Sequence, residues 1–292
     1  MSGSAAQPLE KLSPAERFNF VVTNRLPRRW LTLAMGRVSK NRNPVVRWLL
    51  INTWKLFVDD LRLFEARKQH FDSLHDCFIR ELKDGARPVD TSPDIVVSPC
   101  DAVIGEFGRV RDMRAFQAKG FPYAISDLLV DEKRAMRYRD GIYVTLRLKS
   151  SMYHRFHAPC DAHVDTIEYV SGDTWNVNPI ALKVIEQLFC KNERAVVDLQ
   201  VAKGAITLVP VAAILVASMR FHGLDGALSI EYAGPTTLKL DKSYAKGEEI
   251  GYFEHGSTVV LFATDDYGFI EQLRQGEVIR MGQPLLTTVA AT

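Results

Sequence analysis

The sequence predicts an α+β chain: a helical N-terminal region followed by a mostly antiparallel, β-rich, barrel-like domain. Three observations predict it. Up to about residue 83, apolar side chains recur at helical spacing between proline breaks. After Pro88 the texture changes to short β-branched runs separated by Gly, Pro or Asp turns. No stretch reaches the roughly 20 uninterrupted apolar residues that a spanning helix needs. The nearest, WLLINTWKLFV at 48–58, is short and interrupted by Lys55. The expected division is therefore 1–90, helical, and 91–292, β-rich.

Each element has a local reason. Ser13-Pro14-Ala15-Glu16 has the form of a capping box, with Pro14 at the first helical position. Pro27 and Pro44 cut the following segment into short helices, the last opening at Asn43-Pro44. FDSLHDCFIRELK predicts a further helix over 71–83, ending near Gly85. Strands are expected at DIVVSP, AVIGEFGRV, IYVTLRL, HVDTIEYV, RAVVDLQVA, AITLVPVAAILVA, GALSIEY, STVVLFA and EVIRMGQPL. A helical insert is expected near 177–189, and no internal repeat is visible.

At 292 residues, with 47% hydrophobic and 25% charged content, the chain can bury a full core. The N-terminus has neither the basic start nor the apolar centre of a signal peptide. Four cysteines show no CxxC pairing and are expected to be reduced. The net charge of +2 conceals an asymmetry: Arg17 to Val58 holds nine Lys or Arg and no acid, which leaves −7 elsewhere. Basic helices carrying Trp30, Trp48 and Trp54 suit the plane of an anionic membrane surface. The plainer reading is helices packed on the protein's own body with a solvated basic face. No nucleic-acid recognition motif accompanies the basic segment, so no nucleic-acid partner is expected.

Four segments carry groups capable of chemistry. Asp101 sits in the SPCDAVIG turn, where an Asp commonly caps backbone. His154 and His157 form HxxH, but no third ligand has a recognisable spacing, so no metal is expected. QAKGFPY, 117–123, is a small basic turn. Gly256-Ser257-Thr258 places a hydroxyl in a turn only 36 residues from the C-terminus, counting Ser257. Asp, His and Ser are the parts of a nucleophilic triad, in the order Asp101, His157, Ser257, though no G-x-S-x-G elbow is present.

Taken together, FIRELKDGARPVD, SPCDAVIG, QAKGFPY, YHRFHAP, SGDTWNVN, NERAVV and KGEEIGYFEHGSTVVLF resemble, in order, the phosphatidylserine decarboxylases of prokaryotic type. The resemblance runs from about residue 71 to the C-terminus. It implies self-cleavage between Gly256 and Ser257, giving a β chain of 1–256 and an α chain of 257–292. Asp101, His157 and Ser257 would form the self-cleavage triad, and Ser257 would become a covalent pyruvoyl cofactor. That group would decarboxylate phosphatidylserine to phosphatidylethanolamine through a Schiff base, with His154, or alternatively His157, delivering the proton that follows CO2 loss. The resemblance also implies a homodimer bound peripherally at the cytoplasmic face of the inner membrane. Two residues depart from the pattern: His255 stands where the family often has an apolar residue, and Cys100 where a small one is expected. The alternatives are a pyruvoyl-dependent decarboxylase of another amino acid, and a phosphocarrier or binding β-barrel. The second would leave the Asp101 and His157 segments unexplained.

Overall fold

A computed structural model describes residues 12–24, 28–58, 60–118, 121–214, 218–254 and 257–289. Pro14–Asn24 (α1) opens on the expected capping box: Glu16 N–H donates to Ser13 Oγ, and Ser13 N–H to the Glu16 carboxylate. Arg28–Ser39 (α2) and Pro44–Phe57 (α3) follow, the latter capped by Asn43, whose side chain accepts from the Val45 and Val46 N–H groups. Pro27, expected to divide the first two helices, lies outside the described residues.

The helix expected over 71–83 shrinks to Leu74–Phe78 (α4). Beyond it the chain runs extended against 65–67: Arg67 N–H donates to Glu81 O, Lys83 N–H to Glu65 O, and Ala66 bridges Leu82. Long-range pairing overrides helix propensity there. The short helices Ile125–Leu129 (α5) and Glu132–Met136 (α6) were not expected, whereas Pro179–Val184 (α7) and Leu188–Lys191 (α8) fall within the expected insert.

The β region is antiparallel throughout the described ladders. Its largest sheet runs in the order Thr237–Tyr244 (β12), Ala162–Val170 (β7), Arg194–Leu199 (β8), Ile206–Ala212 (β9), Ser257–Ala263 (β14), Ile142–Leu148 (β5), Ala102–Arg109 (β2) and Val278–Ile279 (β16). Among the described residues this sheet has two ends, at β12 and β16, and does not close into a barrel. A second sheet runs Leu228–Ser229 (β11), Ser218–Phe221 (β10), Glu249–Phe253 (β13) and Arg155–His157 (β6). A third joins Ile95–Val97 (β1), Pro284–Thr288 (β17) and Tyr267–Phe269 (β15). Arg114–Ala118 (β3) pairs with Phe121–Ala124 (β4), so QAKGFPY spans a hairpin whose tip, 119–120, lies outside the described residues.

β14 explains the continuous apolar run STVVLFA. It is hydrogen-bonded on both sides, in register from Ser257 to Ala263, to β5 and β9. Successive strand side chains point to opposite faces. Val259, Leu261 and Ala263 enter one hydrophobic core, while Val260 and Phe262 enter another. Both faces are covered, so every residue of the strand is buried.

The helical region is packed differently. Ten of the fourteen exposed large apolar side chains among the described residues lie between Phe18 and Phe64, and α3 has no buried residue. Trp30 and Trp48 are open to solvent, but Trp54 is half-buried and packs on Phe78, with ring centroids 5.8 Å apart. Of the three tryptophans expected at a membrane, Trp54 is thus an internal contact.

Candidate active site

Ser257 is the first residue of β14, facing Leu148 on β5 and Ala212 on β9. It is fully buried, and among the described residues its Oγ has no hydrogen-bond partner. Leaving a buried hydroxyl unpaired costs roughly 1–3 kcal/mol, and such exceptions call for a functional account. Ser257 borders a cavity of about 430 Å³ whose wall includes Arg147, Lys149, Asn176, Asn178 and, at the end of α3, Phe57. His255 and Gly256 lie outside the described residues, so the bond expected to break has no geometry to report.

His157 is placed by β6, which pairs with β13 so that His157 stands opposite Glu249 and Phe156 opposite Gly251, and His154 just before it accepts from the Phe253 N–H through its carbonyl. The HxxH segment therefore lies alongside the strand that leads toward Ser257. His157 Nδ1 is 2.9 Å from the Gly247 carbonyl, and Nε2 is 3.1 Å from the Tyr153 hydroxyl. A carbonyl can only accept, so in the neutral ring Nδ1 carries the proton and Nε2 accepts from Tyr153. Burial lowers the His157 pKa below its ordinary 6.5, outweighing the Gly247 hydrogen bond and the charges of Glu249 and Asp101. His154 is equally buried; its Nδ1 lies 2.8 Å from the Met152 carbonyl. Its ring packs on Phe78 at 4.1 Å, extending the contact that begins at Trp54.

Asp101 is held from elsewhere. Arg87 grips it through Nε at 2.8 and 3.1 Å and Nη2 at 2.6 Å, and the Met281 N–H donates at 2.9 Å. The same Nη2 reaches Glu65 at 2.9 Å. Burial raises the Glu65 pKa, but hydrogen bonds from Arg62 and Arg87 prevail and hold it at about 2. Asp101 and Tyr153 face a second cavity of about 220 Å³, which shares Lys149 and Ser151 with the Ser257 cavity.

Among the described residues, no hydrogen bond joins Asp101 to His157 or His157 to Ser257. His157 Nδ1 is engaged by the Gly247 carbonyl. Two residues that organise the site were not singled out in the sequence. Tyr153 adjoins the HxxH pair, and only strand geometry reveals that it reaches back to His157. Arg87 lies in the GARPVD stretch, and nothing in its spacing signals Asp101 as its partner.

A third residue, Glu254, is buried immediately before the undescribed pair 255–256. Its carboxylate accepts from Ser218 Oγ at 2.7 Å and Arg220 Nε at 3.0 Å, with Lys40 at 3.4 Å and His75 at 3.7 Å. Burial alone would raise its pKa; the Ser218 bond and the charges of His75 and Lys40 pull it below the ordinary value. Lys40, at the end of α2, is thereby tied to the residue that precedes the Gly-Ser turn.

Comparison with known proteins gives this arrangement its context. The sequence pattern of the family described as phosphatidylserine decarboxylase matches residues 74–287. The chain belongs to the phosphatidylserine decarboxylase family. It is 34% identical over 274 residues to a phosphatidylserine decarboxylase proenzyme of Vibrio parahaemolyticus, covering 89% of this chain and 94% of that one. A relative of the same name from Photobacterium profundum is 33% identical over 273 residues, covering 88% and 92%. The match begins at α4, so the decarboxylase pattern covers the β region and leaves α1–α3 outside.

The Arg87 network of this decarboxylase makes a direct prediction. Arg87, Asp101 and Glu65 have side chains 5%, 7% and 11% exposed. Removing the cation leaves buried Asp101 with only the Met281 N–H, while Glu65 keeps Arg62; breaking a buried pair typically costs about 3–5 kcal/mol. Arg87→Met should lose stability of that order in urea unfolding at neutral pH, and adding Asp101→Asn should restore part of it. A loss under about 1 kcal/mol would show that the pair contributes little.

Proposed function

We propose that the chain cleaves itself between Gly256 and Ser257 and then decarboxylates phosphatidylserine. The observation that carries this reading is the buried, unpartnered Ser257 hydroxyl at the wall of a cavity, in a chain of this family. The relatives' name, proenzyme, speaks of them as precursors. A residue that becomes a carbonyl has no need of a hydrogen-bonded hydroxyl, so position 257 fits a pyruvoyl group.

In the cleavage, Ser257 Oγ attacks the Gly256 carbonyl carbon and gives up its proton to a base. The Gly256–Ser257 C–N bond then breaks, the nitrogen takes a proton, and an ester remains. Loss of the Ser257 α-proton expels Gly256 as a carboxylate and leaves dehydroalanine, which takes up water and releases ammonia. His157 is the base: its Nε2 is the free acceptor of the neutral ring once Tyr153 turns away. Asp101 assists through its charge, which favours protonated His157, rather than through a hydrogen bond. A pyruvoyl carbonyl supplies an electron sink for a substrate amine whose α-carboxylate leaves as CO2. His154 would deliver the proton to the former α-carbon.

The lipid would be met at a membrane surface. Moving acyl chains into water costs about 0.8 kcal/mol per CH2, so the protein must approach the bilayer. Trp30, Val45, Trp48, Leu49, Leu56 and Phe57 are exposed on α2 and α3, and Phe57 also borders the Ser257 cavity. No helix among the described residues is long and apolar enough to cross a membrane.

Two experiments test this reading. Wild type should yield a 36-residue fragment, and Ser257→Ala should stay whole. The processing rate should also follow His157: a base acts when unprotonated, and burial keeps it so below the ordinary 6.5. The rate should therefore hold as pH falls and drop with a midpoint below 6.5. Cleavage of Ser257→Ala at the same bond, or a midpoint at or above 6.5, contradicts the assignment.

The second is vesicle flotation of Ser257→Ala protein. Binding should rise with anionic lipid and weaken with added salt. A folded protein lacking residues 1–64 that floats as well as the full chain would refute the helical anchor.

A further inference from the structure

Among the described residues, the guanidinium groups of the buried arginines meet carbonyls or carboxylates, although Arg80 Nε stays unpaired. Arg80 donates to the Leu61 and Ser151 carbonyls, Arg87 to Asp101 and Glu65, Arg155 to Glu249 and Ile79, and Arg194 to the Leu128 and Cys190 carbonyls. Arg147 differs. It lies on β5, flanked by Val103 of β2 and Thr258 of β14, one position before the residue that pairs with Ser257. It is half-buried and lines the Ser257 cavity. Among the described residues no hydrogen bond or ion pair reaches its side chain. Burial lowers its pKa.

A guanidinium with its donors unused in a partly desolvated cavity lacks only an anion. Lys149 adds a second positive charge to the lining, which among the described residues includes no Asp or Glu. We propose that Arg147 binds the phosphodiester of the lipid headgroup in the Ser257 cavity. This inference rests on the reaction proposed above.

That headgroup carries two anions, and the chemistry chooses between them. The carboxylate must lose its charge as CO2 departs, so a cation gripping it would favour the ground state over the transition state. The phosphodiester keeps its charge throughout, and holding it costs the chemical step nothing. The planar guanidinium fork also suits two phosphate oxygens. Arg147 and Ser257 border the same cavity, so a phosphate held on Arg147 would leave the serine amine a few bonds away within the space that Ser257 lines. The glycerol side of the ester then faces Phe57 and Val58, where α3 ends with apolar side chains in the open.

The test separates binding from turnover. Uncut Ser257→Ala protein is titrated calorimetrically with glycerophosphoserine, with inorganic phosphate and with serine, alongside Ser257→Ala/Arg147→Met. Loss of a charged hydrogen-bonded contact should weaken glycerophosphoserine binding roughly ten- to a hundredfold. Serine should bind both proteins alike. Equal glycerophosphoserine affinity in the two proteins overturns the proposal. Inorganic phosphate binding as tightly as the headgroup overturns the assignment to the lipid, leaving a general anion site. If Arg147→Met fails to fold, the neutral, hydrogen-bonding Arg147→Gln takes its place, and a folded Gln variant with undiminished affinity overturns it equally. In processed protein, Arg147→Met should raise KM for phosphatidylserine more than it lowers kcat. If the wild type releases no CO2 from phosphatidylserine while Arg147 still governs headgroup binding, the proposed reaction fails and the anion site stands.

Discussion

Everything at the candidate site hangs on the burial of β14. Both its edges are hydrogen-bonded, to β5 and β9, and its two faces enter separate hydrophobic cores. A strand so enclosed cannot leave without dismantling both cores, so a chain break at its first residue is structurally tolerable. Ladders and side-chain packing would hold the cut piece in place. The same enclosure strips water from Ser257, which is why its unpartnered hydroxyl stands out.

The approach to β14 is controlled separately. β13 belongs to the four-stranded sheet and β14 to the eight-stranded one, so the chain changes sheets across 254–256. Glu254 secures the near side of that crossing through Ser218, Arg220, Lys40 and His75. Contacts with the helical region recur around the site. Trp54 of α3 packs on Phe78, Phe78 packs on His154, Lys40 just after α2 reaches Glu254, and Phe57 borders the cavity. The helices that expose apolar side chains therefore reach the candidate site through Phe78, Glu254 and the cavity wall.

Where structure follows from local pattern, the sequence was a good guide. IYVTLRL is β5 residue for residue, STVVLFA is β14, and the Ser13 capping box forms as expected. The helix over 71–83 is shorter than the pattern predicts, because the pairing of 81–83 with 65–67 depends on residues far from the helical pattern. The open edges at β12 and β16 could not be read from alternation alone, which specifies faces but not closure. At the site, Ser257, His154, His157 and Asp101 were all visible as residue types, and motif order made them candidates. Their partners were not. Gly247 reaches His157 only because a turn at φ +83° brings its carbonyl beside β6, and Arg87 meets Asp101 through tertiary packing. Arg147 reads as an ordinary outward strand residue until the cavity beside it is seen.

The central claim is that the active protein is cut at the head of β14 yet remains one body. Mass measurement of a preparation that releases CO2 from phosphatidylserine, under native and then denaturing conditions, tests it most directly. The account predicts a two-chain complex in the native spectrum. In denaturant it should separate into chains of 256 and 36 residues, the shorter bearing a carbonyl that reacts with hydroxylamine. A fully active preparation consisting of the intact 292-residue chain would contradict it.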